Sequence, residues 1–555
     1  TSAVRFVHAA PQLGTVDMGM AADGELPTTM LNTFLFRGVS FGSTAAAGSP
    51  SSFGTVDANG YVSAQFGGGV ANLAVVPEGG QPGDDALVVR PKTLPNGEAV
   101  SAFVIGINGS PEFPLQLWAC NETSTVQKVL ASCGDGTPLD LQVAFYSTYL
   151  NGPFGVEGPR RQPLLDEVSS ADTDILVLTT VWSDGDKQAF IDAAKGTFPN
   201  SYFAPTDWES EPGDPRAADG TVPPAYDEPP CSDNIVLNPN VDPVGTVKDA
   251  LDEALDCLRD HCTDGVGEEG TITTNEPGKC FTENCFAQLT AFVVPNGQPC
   301  WNAALGILQG HETIAFAREA ASTNPKARFA FRGHNPLLVL SRSGINLGTG
   351  EAWVLPGSDW RTVVLRVPVS LQNGAAIDLY AANLTHLNED CFSRPYTGQY
   401  GNGKDCNEAF MEEQKLQAQR VIEWVRQNST DQRRRVVLAI DTDTGPGYGD
   451  AIAPVAPDIY ASIAAKFGLA VPWNYEPACT FCASNPLVTP PGEDPDTDST
   501  WTQFLMLQNI PTSAVQHTDR IFTEAKYDYD HPEHGAIQIP PSFLYGIRSV
   551  IRIHK

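Results

Sequence analysis

The chain has 555 residues, 41% hydrophobic and 18% charged, with a formal net charge of −32 from 34 basic and 66 acidic side chains. That length suggests about two to four domains at ~150 residues each, and the apolar content is that of a folded chain, which excludes an intrinsically disordered one. No run approaches the ~20 apolar residues of a membrane helix, and the negative field repels phosphate polymers and supplies no counterion-release drive, so neither a transmembrane segment nor a nucleic-acid partner is expected.

Residues 1 to 135 alternate short β-like runs with Gly, Pro and Asn: "VRFVHAA", "VDMGM", "NTFLFRGVSFG", "ANLAVVP", "DALVVRP", "VSAFVIGING" and "LQLWAC". Strands at this spacing, without helical periodicity, predict a first domain over 1–135 that is an all-β, immunoglobulin-like antiparallel sandwich. The opening "TSAVRFVHAA" reads as a strand, the start expected of a chain whose export leader has been removed. The stretch "AVRFVHAAPQLGTVDMGM" resembles the opening of a secreted β-domain family of unknown function, whose members begin with a VRVVHASP-like strand and continue into VDVYV. The resemblance covers most of this domain and implies no catalytic residue, so His8 is read as structural.

From Leu139 the pattern changes to a second domain, 139–555. "LQVAFYSTYL" predicts a strand, "RRQPLLDEVSSA" a helix, "DILVLTTVW" a buried strand and "DKQAFIDAAKGTF" a helix. An insertion at about 205–330 opens acidic and proline-rich and then turns helical in "VGTVKDALDEALDCLRDHC", where Val247, Leu251, Ala254 and Leu258 follow the 3,4 spacing. Beyond it come the strand-like "PLLVLSRSGI", "WRTVVLRVPV" and "AIDLYAANLTHL", and a long helix with Phe410, Leu416, Val421, Trp424 and Val425 on one broad face. "RRRVVLAIDTDTGPGYGD", "HTDRIFT" and "PEHGAI" close the domain, and mixed strands and helices of this kind predict a two-sheet sandwich with helices outside. "GTGE" at 348–351 and "GPGYGD" at 445–450 lack the Lys-Ser/Thr or following helix of a phosphate loop and read as turns.

Twelve cysteines, with close pairs such as Cys120/Cys133 and Cys391/Cys406, suit disulfides in an oxidising compartment. Sequons start at Asn108, Asn121, Asn383 and Asn428. Cys257/Cys262 and Cys280/Cys285 repeat one Cys-x4-Cys spacing, which fits a four-thiolate zinc site or two bridges stapling a helical hairpin; the secreted reading favours bridges. "CTFC" at Cys479 and Cys482 invites a redox reading, yet no thioredoxin-like strand and helix surround it, so a local bridge in a loop is expected.

Taken in order, the strand ends "AFYSTYL", "DILVLTTVW", "NLTHL", "AIDTDTGP", "HTDRIF" and "PEHGAI" resemble the endonuclease/exonuclease/phosphatase family, whose DNase-I-like fold is a four-layer α/β sandwich and which includes secreted sphingomyelinases. The cysteine-bearing insertion followed by "FAFRGHNPLLVLSRSGI" looks most like secreted bacterial members. The resemblance implies phosphoester hydrolysis assisted by a hard cation, usually Mg²⁺, with carboxylates and amide oxygens as ligands and Asp–His pairs handling protons. It also implies which residues stand where. Ser147 occupies the position of a metal-side Asn, and Thr179 and Thr180 stand where the family has Gln-Glu, the Glu being the principal anchor. Thr385 and His386 match the phosphate-contacting histidine motif, Asp441 is retained, and Asp443 replaces an Asn that orients water or phosphate. Asp519 matches the expected partner of a histidine, Glu533 stands in for an Asp, and His534 is the retained candidate base.

A unit charge pair at 4 Å is worth ~4 kcal/mol gross at an effective dielectric of 20, and a divalent ion doubles that, so losing the anchor carboxylate weakens Mg²⁺ by several kcal/mol even after desolvation. Asp443, if ionised, repels a phosphoryl oxygen instead of donating to it. The expectation is a secreted or cell-surface protein whose DNase-I-like domain has lost its metal site and needs no cofactor. It would act as a binding or self-assembling component, through exposed β edges, with copies of itself or cell-surface components as partners. Two alternatives remain open. Charge moved from Thr180 to Asp443 allows an active phosphodiesterase or phosphatase holding Mg²⁺ or another divalent ion on Asp441, Asp443 and Glu533. The old cleft could also bind an anionic or lipid headgroup without cleaving it. His517, His531 and His534 invite a zinc reading with Asp519, but their loop spacing suits ordinary loop histidines better.

Overall fold

A computed structural model of the chain describes most of residues 2–21, 32–64, 70–108, 115–121, 132–134, 139–150, 157–204, 231–238, 245–321, 330–387, 404–430 and 434–553, with short gaps inside these spans, together with 396 and 400. The chain forms two compact units: residues 1–140 with 370–376 and 552–555, and residues 141–369 with 377–551.

In the first unit one sheet runs Ser132–Gly134, Gln116–Asn121, Ala99–Ile105, Ser2–His8, Tyr61–Ala64, and the other Thr33–Val39, Val16–Met20, Val70–Pro77, Val88–Thr93. Alternate residues of these strands, among them Val4, Phe6, Met18, Met20, Leu73, Val75, Val100, Ala102 and Val104, fill one core, as the two-residue strand period requires. One pair departs from the antiparallel expectation: Ser2–His8 runs parallel to Ala99–Ile105, with Ala3 opposite Ala99 and His8 opposite Val104. The same strand pairs on its other side with Tyr61–Ala64. A strand that begins almost at residue 1 therefore sits inside the sheet, paired on both sides. His8 is buried, its Nε2 donating to Gly14 O at 2.8 Å and its Nδ1 accepting from Ala10 N at 3.3 Å, as a structural histidine does.

The second unit has two mixed sheets. One runs Asn200–Tyr202, Leu338–Ser341, Ile175–Val181, Leu139–Leu150, Gly546–Ile553, Val515–Ile521. The other runs Asn346–Leu347, Val363–Ser370, Ala376–Asn383, Val436–Asp441, Gln503–Gln508, Gly468–Leu469, with Glu351–Val354 also on Val363–Ser370. Ile175–Val181 and Val436–Asp441 are buried at every position, the mark of strands covered on both faces. Helices Glu157–Ser170 and Asp184–Ala194 cover one face of the first of these sheets, with Leu164, Val168 and Phe190 against Ala144, Tyr146, Leu176 and Leu178. Helices Cys406–Val425 and Pro457–Ala464 cover the second, with Val421, Val425 and Ile463 against Ala382, Leu438, Ile440 and Phe504. The intervening strand residues, such as Phe145, Val177, Ala439 and Leu505, are buried on the opposite faces, where the sheets meet. Thr518 and Ser549 of the first sheet both donate to Ala470 O, beside the edge strand of the second, at 2.8 and 2.7 Å. The layers are helix, sheet, sheet, helix: the DNase-I-like sandwich.

Within the insertion, Val247–Cys262, Pro277–Asn284 and Ile314–Arg318 are helices around a core of Leu251, Leu255, Leu258, Phe281 and Ile314. Thr246 starts the first with a capping box: its Oγ1 accepts from Asp249 N, and the Asp249 carboxylate accepts from Thr246 N, both at 3.1 Å. Bridges Cys257–Cys285 and Cys262–Cys280 staple two of these helices, and Cys231–Cys300 closes the insert, so the repeated Cys-x4-Cys spacing is a disulfide pattern and not a zinc site. Cys479–Cys482 is also a bridge, in a loop. Positions 120 and 133 are opposite each other in register, while the side chains at 120, 133, 391 and 406 lie outside the described residues.

Candidate functional site

In the second unit, strands Leu139–Leu150 and Ile175–Val181 run parallel at the centre of their sheet, with Ser147 opposite Thr179, and deliver their ends side by side. The register then breaks, so that Leu150 pairs with Val181. Tyr149 and Thr180 make the break by adopting left-handed φ values of 52° and 58°. For a β-branched threonine that conformation costs ~1–3 kcal/mol and persists only where its surroundings over-determine it. Here they do. Thr180 Oγ1 accepts from Tyr149 N at 2.6 Å, donates to Thr179 O at 2.6 Å and lies 3.1 and 3.4 Å from the hydroxyls of Ser147 and Thr148. Beneath this strand end, the fully buried Arg160 donates to the carbonyls of Thr148 at 3.0 Å, Tyr149 at 2.6 Å and Pro541 at 3.0 Å.

In the facing sheet, register places Asn383 beside Asp441 and Asp441 beside Gln503. Paired residues share a face, and this face is opposite to that of Ala382, Ile440 and Phe504, which pack on the helices. All three side chains are buried, and Asp441 Oδ2 with both amide atoms of Asn383 and of Gln503 finds no hydrogen-bond partner among the described residues. Burial pushes the Asp441 carboxyl up to about 6; His386 opposes the shift, Asp443 adds to it, and the Asp443 N–H opposes it. Asp443, at φ 49°, accepts from Leu387 N at 2.7 Å and stands 3.5 Å from His386 Nδ1. Gly445, two residues on, lies so close to Trp501 O that no side chain fits there.

The loops bearing His386 and Asp443 are clamped by the long helix. Glu413 accepts from Thr385 Oγ1 at 2.7 Å and from the Tyr396 hydroxyl at 2.9 Å. Gln417 accepts from Thr385 N at 2.8 Å and donates to Thr385 Oγ1 at 2.7 Å, while Gln414 donates to Thr385 O at 2.7 Å and to Thr442 O. An aromatic chain joins the two sheets' loops: Trp182 stacks on Phe331 with centroids 4.5 Å apart and meets Trp360 at 5.6 Å, and Trp360 meets the His386 ring at 4.9 Å.

Of the residues singled out from sequence, His386, Asp441 and Asp443 come together, and Ser147, Thr179 and Thr180 form a strand end in the other sheet. Asp519, read from sequence as the expected partner of a histidine, accepts a two-pronged bond from Arg548, at 3.0 and 2.7 Å, and stands 3.9 Å from His517 Nε2. His534 pairs with Glu493 at 3.1 Å and lies against the His531 ring at 4.6 Å. Glu533 lies outside the described residues. Arg160, Glu413, Gln414, Gln417, Glu493 and Gln503 enter the site region without having been singled out from sequence. The Asn383 sequon is closed to glycosylation by burial of its asparagine.

A divalent ion does not fit the strand end formed by Ser147 and Thr180. A hydroxyl has one proton and two lone pairs. Those of Thr180 are engaged by Thr179 O, by Tyr149 N–H and by the adjoining Ser147 and Thr148 hydroxyls, over a buried guanidinium. Among the described residues no cluster of three His, Cys, Asp or Glu side chains could hold a metal.

No family model matches the chain, and no curated protein does. Similar solved structures include sphingomyelinase C from Streptomyces griseocarneus, 12% identical over 74% of this chain and 99% of that one, with a TM-score of 0.37. A magnesium-bound mutant of beta toxin from Staphylococcus aureus is 8% identical over 74% and 99%, with a TM-score of 0.38. A mannosyl-6-phosphatase from Bacteroides thetaiotaomicron is 8% identical over 74% and 98%, with a TM-score of 0.35.

Proposed function

We propose that this protein is a DNase-I-like sandwich that does not hydrolyse phosphate esters and serves outside the cytosol as a binding or structural component. One observation carries the reading: the hydroxyl of Thr180 is spent on Tyr149 N–H and Thr179 O, with Arg160 beneath, where cation-assisted chemistry needs an anionic oxygen. The three bridges of the insertion support an oxidising compartment, and among the described residues no helix is long and apolar enough to cross a membrane. The test is calorimetric titration of the full chain with Mg²⁺ and Mn²⁺, run beside hydrolysis of a chromogenic phosphodiester and a chromogenic phosphomonoester. The reading predicts no saturable heat at millimolar metal and no chelator-sensitive turnover. Turnover that stops with chelator and in Asp441→Ala defeats it.

A second reading has an observation of its own. Asp441 Oδ2 stands in a row with the amide oxygens of Asn383 and Gln503, all buried without a partner among the described residues. A relocated cation on that row would support an active phosphodiesterase, and it would give saturable metal binding that Asn383→Ala and Gln503→Ala both weaken.

A further inference from the structure

The Cys479–Cys482 bridge differs from the bridges of the insertion in what touches its sulfurs. Arg520 brings Nη1 to 3.2 Å from Cys482 Sγ and 3.5 Å from Cys479 Sγ, and also donates to Cys479 O at 3.3 Å. Its guanidinium lies over the Tyr545 ring, 5.4 Å from the centroid, and among the described residues no carboxylate pairs with it. Neighbouring Asp519 is taken by Arg548. The two sulfurs also differ in access: Cys482 is fully buried, while Cys479 is half-buried.

The loop is also tied by hydrogen bonds that do not involve the bridge. Thr480 and Phe481 donate to Thr500 O at 2.9 and 3.1 Å, and Thr500 N returns to Phe481 O at 2.8 Å. Tyr545 N donates to Thr480 O at 2.8 Å, and Thr480 Oγ1 accepts from Thr502 N at 3.0 Å. The sequence separation is 3, against 69, 28 and 18 for the bridges of the insertion, so this crosslink removes the least chain entropy.

We infer that Cys479–Cys482 is a thiol–disulfide exchange site for an external dithiol, with Arg520 stabilising the thiolate that leaves. A thiolate of the dithiol attacks the accessible Cys479 Sγ, the Cys479–Cys482 bond breaks, and Cys482 Sγ departs with the electron pair beside the guanidinium. The second thiol of the reagent, deprotonated to solvent, attacks the reagent's own sulfur in the mixed disulfide and expels Cys479, which takes a proton. The dithiol loses two electrons and becomes a disulfide; the pair gains them as one thiol and one thiolate. This assignment is independent of whether the Asp441 site binds metal or turns over.

The experiment titrates the full-length oxidised protein with dithiothreitol at pH 7, traps thiols with one alkylating reagent, reduces fully, labels the rest with a second, and maps the peptides by mass spectrometry. Cys479 and Cys482 should open at a dithiol concentration about tenfold below that which opens the bridges of the insertion, with far-ultraviolet circular dichroism unchanged. In the selectively reduced protein, the pH midpoint for alkylation of Cys482 should lie at least about one unit below the ~8.5 of a free cysteine. Arg520→Ala should raise that midpoint and slow reduction about tenfold, and Arg520→Lys should restore part of both. Opening no earlier than the insertion's bridges, or a Cys482 midpoint at or above the free value, overturns the assignment on the unaltered protein alone. Equal rates and midpoints in wild type and Arg520→Ala overturn the role of Arg520.

Discussion

Replacing Asp441 with asparagine should make the protein more stable at neutral pH. The carboxyl has a folded value of about 6 against an ordinary 3.8, raised first by burial. A raised acid binds its proton more tightly in the folded state, so its contribution is fully present below the unfolded value and is lost as pH rises through the folded one. Two units correspond to about 3 kcal/mol as an order of magnitude, all of it charged against folding above pH ~7. Asp441→Asn removes the titration, so urea unfolding followed by circular dichroism from pH 4 to 8 should show wild type losing stability relative to the variant between about pH 4 and 6. The variant should then lead by about 2–3 kcal/mol at pH 8. A resident cation would reverse the sign, because it favours the carboxylate and its loss would destabilise. A variant less stable than wild type at pH 8, in buffer with millimolar Mg²⁺, refutes the reasoning.

Thr180→Val keeps the shape but orphans the Tyr149 N–H, and should lower stability by ~1–3 kcal/mol, while Thr180→Ser loses less; thermal melting of the three proteins ranks them. Glu413→Gln leaves one oxygen for two donors, Thr385 Oγ1 and the Tyr396 hydroxyl, and should cost ~1–3 kcal/mol by urea unfolding, with the His386 ring signals shifted in NMR spectra. Thr246→Ala removes the cap of the insertion's first helix and should cost ~1 kcal/mol, read as a lower urea midpoint with the bridges intact.

The strands that build the site were legible because their burial is written in local composition: "ILVLTT" and "VVLAID" are continuous apolar runs that end in polar residues. The bridge-or-zinc question was settled by geometry, since which cysteine meets which depends on how two helices pack. Gln503 was invisible because it joins Asp441 only through antiparallel pairing of distant segments. The parallel pairing of Ser2–His8 with Ala99–Ile105 escaped for the same reason: alternation specifies a strand but not its neighbour. Glu413, Gln414 and Gln417 did leave a signal. They fall at the third, fourth and seventh positions after Phe410, inside the helix's buried stripe, where polar residues need partners across the interface. Arg160 left none, because two of its carbonyl partners lie at the left-handed turn at Tyr149 and the third, Pro541 O, comes from a distant segment.

The most direct measurement of the central claim is diffraction from crystals grown in excess Mn²⁺, with anomalous scattering recorded at the second unit. The account predicts no anomalous peak at the strand end formed by Ser147 and Thr180. A peak bonded to either hydroxyl there, with Arg160 displaced, would contradict it.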